Sequence, residues 1–290
     1  MSHARSGDLL ALARQVAEAL PPEVEEAVVT GSVSRGVADD VSDIEMLLVT
    51  RAGLPLEECF ALAGAAGLDE LGTWGAQGGP TRRVSGYRDG VPLELIWWSR
   101  DHAEASVDGM LRGEAPSGAD ALVHGVPVRT GGALARWQER LASYPEELVP
   151  TICEDAALPW GGFAAAGLLT LVRPGERLAL LEWMVDAAIR AQRIVYAVNR
   201  TWQPTTKRLA ARTSTLAVKP ERFAERIEEA LSETDPARAL LVMTEVQLDA
   251  VALAPSGPNV DRARAWLAEG VRILADGDRP GKARWNGLRL

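Results

Sequence analysis

The spacing of hydrophobic residues changes once along this chain, and that change limits the folds open to it. Up to about residue 130, short β-rich runs alternate with stretches of helical spacing; beyond it, every apolar pattern is helical. The first twenty residues space Leu9, Leu12, Val16 and Leu20 as an amphipathic helix. Residues 24–30 (VEEAVVT) and 43–49 (DIEMLLV) read as two strands flanking a loop rich in Gly, Ser and Asp. A helix is expected over 56–66, a loop over 72–80, and a hairpin from 82–87 and 91–98 turning at Asp89-Gly90. Ser99 is placed to cap a helix over 100–111, and the runs around Val123 and Val128 suggest an edge hairpin. The sum is a small mixed sheet of at least four strands with flanking helices.

From residue 131 the reading is helices alone, over 134–144, 147–157, 163–172, 176–198, 221–231, 236–252 and 260–275, separated by Gly or Pro. The stripe Leu178, Leu181, Val185, Ala188, Ile189 and Val195 suits the central helix of a bundle. The expected architecture is therefore an α+β domain over 1–130 followed by an all-α helical bundle over 131–290. A length of 290 residues agrees with two domains.

Composition narrows the partners. With 47% hydrophobic and 24% charged residues the chain is ordinary globular protein, neither disordered nor collagen-like. Its 40 acidic against 31 basic residues, a net charge of -9, argue against a large nucleic-acid partner. Cys59 and Cys153 are too few for a disulfide framework and form no Cys/His zinc pattern. The N-terminal segment lacks the unbroken apolar stretch of a signal peptide, and the longest apolar segment, 163–172, falls short of the ~20 residues that span a bilayer. The expectation is a cytoplasmic protein with no membrane partner.

The chemistry concentrates in residues 31–49, GSVSRGVADDVSDIEMLLV. Residues two apart on a strand share a face, so Asp43 and Glu45 point one way while Ile44 and Met46 point into packing. Two such acids repel, and a divalent cation is the natural compensating charge. Glu94, within VPLELIWWS, is a third acid on a run fit to be the neighbouring strand; there it needs a cation or hydrogen-bond donors. Gly31-Ser32, closing the first strand, lets the backbone approach a ligand and offers the Ser hydroxyl and N–H groups to a phosphate. Arg35 adds a planar cation suited to phosphate oxygens. Phosphates, metal and acids together describe a nucleoside-triphosphate site.

The string G-S-x10-D-x-E at Gly31-Ser32 and Asp43-Ile44-Glu45, followed by the strand acid Glu94, resembles the nucleotidyltransferase superfamily that includes polymerase β and the aminoglycoside adenylyltransferases. Pro92-Leu93-Glu94 is similar to the third-acid strand of the streptomycin/spectinomycin-type adenylyltransferases. Gln192-Arg193-Ile194-Val195-Tyr196 with Thr206-Lys207 and Ala210 is similar to the segment in which those enzymes place an arginine and a lysine on the nucleotide phosphates. The second acid departs from many relatives in being Glu45 rather than Asp.

That resemblance implies transfer of a nucleoside monophosphate, AMP from ATP, to a hydroxyl of a small-molecule acceptor such as an aminoglycoside-like antibiotic, with release of pyrophosphate. It implies Mg²⁺ held by Asp43 and Glu45, with Glu94 as a further ligand or as general base. Gly31, Ser32, Arg35, Arg193 and Lys207 would bind the phosphates, the helical domain closing the nucleotide and acceptor cleft. Adenylylation of a protein side chain and non-catalytic nucleotide binding are the alternatives. Plainer roles also stand: Glu94 paired with Arg82 or Arg83, Arg35 as a surface residue, Arg193 and Lys207 as solvated cations. Trp97, Trp98 and Trp202 read as core, Tyr196 and Asn199 as packing and capping, and His3, His102 and His124 as isolated residues.

Overall fold

The computed structural model describes residues 2–74, 79–162, 166–172 and 175–277. The chain forms two compact units, Met1–Ser143 and Tyr144–Leu290. The division falls beyond residue 130 because the helix that follows packs on the sheet through an apolar face.

The first unit contains α1 (Ser2–Ala19), β1 (Val24–Thr30), α2 (Gly31–Ser34), β2 (Ile44–Thr50), α3 (Leu56–Ala65), β3 (Asp69–Gly72), β4 (Arg82–Arg88), β5 (Val91–Ser99), α4 (Arg100–Leu111), α5 (Pro116–Val123), β6 (Val126–Arg129) and α6 (Ala133–Ala142). The strands make one six-stranded sheet in the order β3-β4-β5-β2-β1-β6. The β2–β5 pair at its centre is parallel, and the other pairs are antiparallel. On one face Ala27, Val29, Ile44, Met46, Leu48, Leu93, Leu95 and Trp97 join Leu9, Ala13 and Val16 of α1 and Cys59 and Ala63 of α3 in a continuous core. The opposite face is covered by α4 and α6, which contact β2, β5 and β1. Leu47 and Val49 are buried there, so β2 is apolar on both faces, as a central strand requires.

Two elements differ from the sequence expectation. Val123 belongs to α5, not to an edge hairpin, because Pro116 opens a helix whose Ala119 and Leu122 are buried. β3 adds an unexpected edge strand beside β4.

The second unit contains α7 (Leu148–Ala157), α8 (Arg177–Val198), α9 (Leu209–Ser214), α10 (Phe223–Ser232), α11 (Pro236–Leu253) and α12 (Pro258–Ala275), with 3-10 turns at Leu158–Trp160 and Leu168–Val172. Its apolar core includes Trp160, Met184, Ala187, Ile194, Leu240, Met243, Val246 and Leu267. The starts of the last two long helices are capped by carboxylates. Asp235 accepts from Ala237 N–H at 3.0 Å, and Glu154 accepts from the N–H groups of Asn259 and Val260. Asn199, at the end of α8, donates to Val195 O and accepts from Val218 N–H. The helix expected over 163–172 is a 3-10 turn over Leu168–Val172; residues 163–165 lie outside the described residues.

The stripe expected on α8 is buried only in part: Val195 lies in the core and Leu181 and Ala188 pack against it. Leu178, Val185 and Ile189 are 80%, 45% and 37% exposed, while Leu180, Met184, Ala187, Ala191, Ile194 and Val195 are buried. The helix carries apolar residues on more than one side, and the buried face is shifted from the expected one toward Leu180, Met184, Ala187 and Ala191. No helix among the described residues is long and apolar enough to cross a membrane.

Candidate active site

The face under α4 and α6 is apolar through its middle and acidic at each end. At one end Glu26, 1% exposed, accepts from the N–H groups of Gly131 and Ala133 at 2.8 and 2.6 Å and so caps the start of α6. At the other end lie the acids of the sequence motif. Register puts Thr30 opposite Glu45, Glu45 opposite Glu94, and Glu94 opposite Ser85, one row across β1, β2, β5 and β4. Neighbours in such a row share a face. Glu45 and Glu94 are thus side by side, and Asp43, two residues before Glu45, precedes the strand and is exposed.

Gly31 fits this row closely. Its φ is +72°, and the Glu45 carboxylate rests on the bare glycine where a Cβ would stand. The positive φ is the condition that favours glycine here. The chain turns through α2, where Val37 N–H donates to Ser32 O at 3.0 Å. It then enters a tight turn in which Ser42 Oγ accepts from Asp39 N–H and donates to Asp39 Oδ1 at 2.7 Å. That turn delivers Asp43 to the start of β2. Asp39, an exposed acid on the loop, is therefore a structural partner of Ser42.

The acids are electrostatically coupled. Burial raises the Glu94 pKa above the ordinary carboxylate value; Arg83 opposes this, and the like charges of Glu45 and Asp43 add to it. Arg83 Nε stands 3.6 Å from Glu94 Oε1, which realises the arginine pairing considered from the sequence. Among the described residues no three His, Cys, Asp or Glu side chains form a ready-made metal group, so the expected three-acid ligand set is not preassembled. The donor set still fits Mg²⁺, which is commonly held by one or two carboxylates together with substrate phosphates. Asp43, exposed and without an ion-pair partner among the described residues, and Glu45 beside it could hold such an ion.

The remaining expected residues have distinct placements. The Ser32 hydroxyl makes no hydrogen bond among the described residues. Arg35 is turned inward: it donates to Gly31 O at 2.8 Å and to Asp120 Oδ2 at 2.5 Å, tying the motif loop to α5. Its guanidinium thus fixes the Gly31 carbonyl. Arg193 pairs with Asp155 at 2.7 Å within the helical unit. Lys207 is exposed in the turn before α9 and has no partner among the described residues. A cavity of about 890 Å³ lined by Thr206, Arg208, Leu209, Arg222 and Glu225 begins one residue from it. Trp97 and Trp202 are buried, the latter against Tyr144, and Trp98 donates to Thr81 Oγ1 at 3.0 Å.

Two residues with a part in this end of the sheet gave no signal in sequence. Asp120 is 7% exposed and bridges Arg35 to His124, whose Nδ1 is 2.9 Å from Asp120 O and 3.3 Å from Oδ1. The hydrogen bond to Asp120 raises the His124 pKa. Trp74, half exposed, lies under the guanidinium of Arg83, 4.3 Å from ring centroid to Cζ.

No protein-family model and no curated protein matches the chain. Among solved structures, the crystal structure of a nucleotidyltransferase-like protein from Exiguobacterium sibiricum 255-15 is similar over 90% of this chain and 88% of that chain, with 11% identity and a TM-score of 0.36. A likeness at that level bears on neither the reaction nor the substrate.

Proposed function

We propose that the chain is a metal-dependent nucleotidyltransferase that moves AMP from ATP to a hydroxyl of a small-molecule acceptor. The observation that carries this reading is the row of Glu45 and Glu94 in register, with Gly31 packed on Glu45 and Asp43 exposed beside it. Asp43 and Glu45 would hold Mg²⁺, which when bound supplies charge neutralisation on the triphosphate. The Ser32 hydroxyl and the backbone of the motif loop meet the phosphates, and Arg35 and Asp120 hold that loop in shape. Glu94 takes the proton of the acceptor hydroxyl as its oxygen attacks the α-phosphorus, and the bond to pyrophosphate breaks. Lys207 is proposed as a further phosphate contact. An aminoglycoside-like acceptor suits the acidic net charge of -9.

The pairing of Glu94 with Arg83 and the lack of a preassembled three-acid group among the described residues favour one second reading, nucleotide binding without turnover. One assay separates the two. The protein is incubated with each labelled nucleoside triphosphate, Mg²⁺ and a panel of aminoglycosides, lincosamides and hydroxylated metabolites, and pyrophosphate release is followed. Transfer should depend on Mg²⁺, and Glu94→Gln should slow it by about 10²–10⁴ with nucleotide affinity little changed. Binding of a triphosphate with no release for any acceptor would favour the second reading.

A further inference from the structure

We propose that Arg83, steadied by Trp74, is a positioning residue for Glu94; this rests on the reading of Glu94 as the base. Arg83 and Ser85 share a face of β4, and Ser85 is the register partner of Glu94, so Arg83 is its diagonal neighbour across the strand pair. Its side chain reaches back until Nε is 3.6 Å from Glu94 Oε1. Both atoms are shut off from solvent, and neither makes a hydrogen bond. On its other side the guanidinium carbon lies 4.3 Å from the centre of the Trp74 ring. The cation is held between an aromatic face and a carboxylate, and leaving either one forfeits a favourable contact.

A pair kept for stability alone would close to a hydrogen bond, since a buried, unbonded donor beside a buried, unbonded acceptor is costly. Here the arrangement serves the carboxylate. Oε1 faces Arg83 and is buried, so the 15% exposure of the Glu94 side chain falls on its other atoms. That leaves Oε2 for the acceptor proton. Arg83 also sets an opposite charge against the like charges of Glu45 and Asp43 around Glu94.

The test compares full-length wild type with Arg83→Gln, Arg83→Lys and Trp74→Ala. Pyrophosphate release from ATP with Mg²⁺ and the acceptor panel gives kcat and the KM for ATP, and thermal melting reports folding. Arg83→Gln should lower kcat by about 10- to 100-fold, the scale for groups that orient an active-site ligand, with KM for ATP nearly unchanged. Arg83→Lys should recover much of the loss by restoring the cation, and Trp74→Ala should show a smaller loss in kcat alone. If Arg83→Gln does not fold, Arg83→Lys and Trp74→Ala still decide, because a full wild-type kcat in Trp74→Ala overturns the clamp. An active wild type with unchanged kcat in Arg83→Gln, or with KM rising in step, overturns this inference and leaves the proposed function standing. A wild type that turns over no triphosphate overturns both.

Discussion

Gly31 joins two requirements that a side chain would set against each other, a left-handed backbone and contact with the Glu45 carboxylate. Gly31→Ala should therefore cost about 1–2 kcal/mol for the backbone alone. The collision with Glu45 adds to this, and part of it should return in the Gly31→Ala/Glu45→Ala double variant, read by urea unfolding as a double-mutant cycle. His124 supports a separate prediction. Its pKa is raised in the folded state by Asp120, so the pair's stabilisation is complete below the unfolded value of about 6.5 and is lost as pH rises through the higher folded value. The Tm difference between wild type and His124→Gln should be largest near pH 6 and shrink by about pH 8; a difference growing with pH would reverse the assignment. That Glu45 and Glu94 share a face was legible in the sequence because alternation along a strand sets it, while Asp43 lies just before β2 and Gly31 just after β1. Asp120 was not, since its meaning lies in a contact with Arg35 eighty-five positions away along the chain.

Elements were read well where one periodicity dominated. β1, α4 and the long helices of the second unit match expectation because the β-rich composition of residues 24–30, the Ser99 cap and Gly or Pro punctuation mark them. The Ser99 cap is seen directly, accepting from His102 N–H at 3.1 Å. β3 escaped notice because DELG has no apolar alternation, and α5 because small residues carry its burial. In α8 the periodicity was right and the buried face only partly so, since the exposed Leu178, Val185 and Ile189 outweighed the small buried Ala187 and Ala191. The two sides give opposite forecasts. Met184→Ala should cost about 2–5 kcal/mol and Leu178→Ala no more than about 0.5, measured by chemical denaturation. Equal costs would mean that the exposed stripe is covered in solution.

At the scale of the molecule, an α+β unit carries the acid row and an all-α unit follows it. The change of hydrophobic period announced that order, while the division after Ser143 depended on α6 placing Leu134, Trp137 and Leu141 in the first unit's interior. Lys207 tests the proposed contribution of the helical unit. Lys207→Ala should weaken ATP binding by about 1–3 kcal/mol, the scale of a charge-assisted hydrogen bond, and leave adenosine binding unchanged.

The central claim is that Asp43 and Glu45 hold a divalent ion against a triphosphate seated on Gly31-Ser32. Calorimetric titration of ATP into wild type and Asp43→Asn, with Mg²⁺ and again with chelator, tests it most directly. Wild type should bind ATP in a Mg²⁺-dependent manner, and Asp43→Asn should lose that dependence while melting at the same or a higher temperature, because removing one of the clustered charges relieves repulsion. Undiminished Mg²⁺-dependent binding by Asp43→Asn, or no ATP binding by wild type, would contradict it.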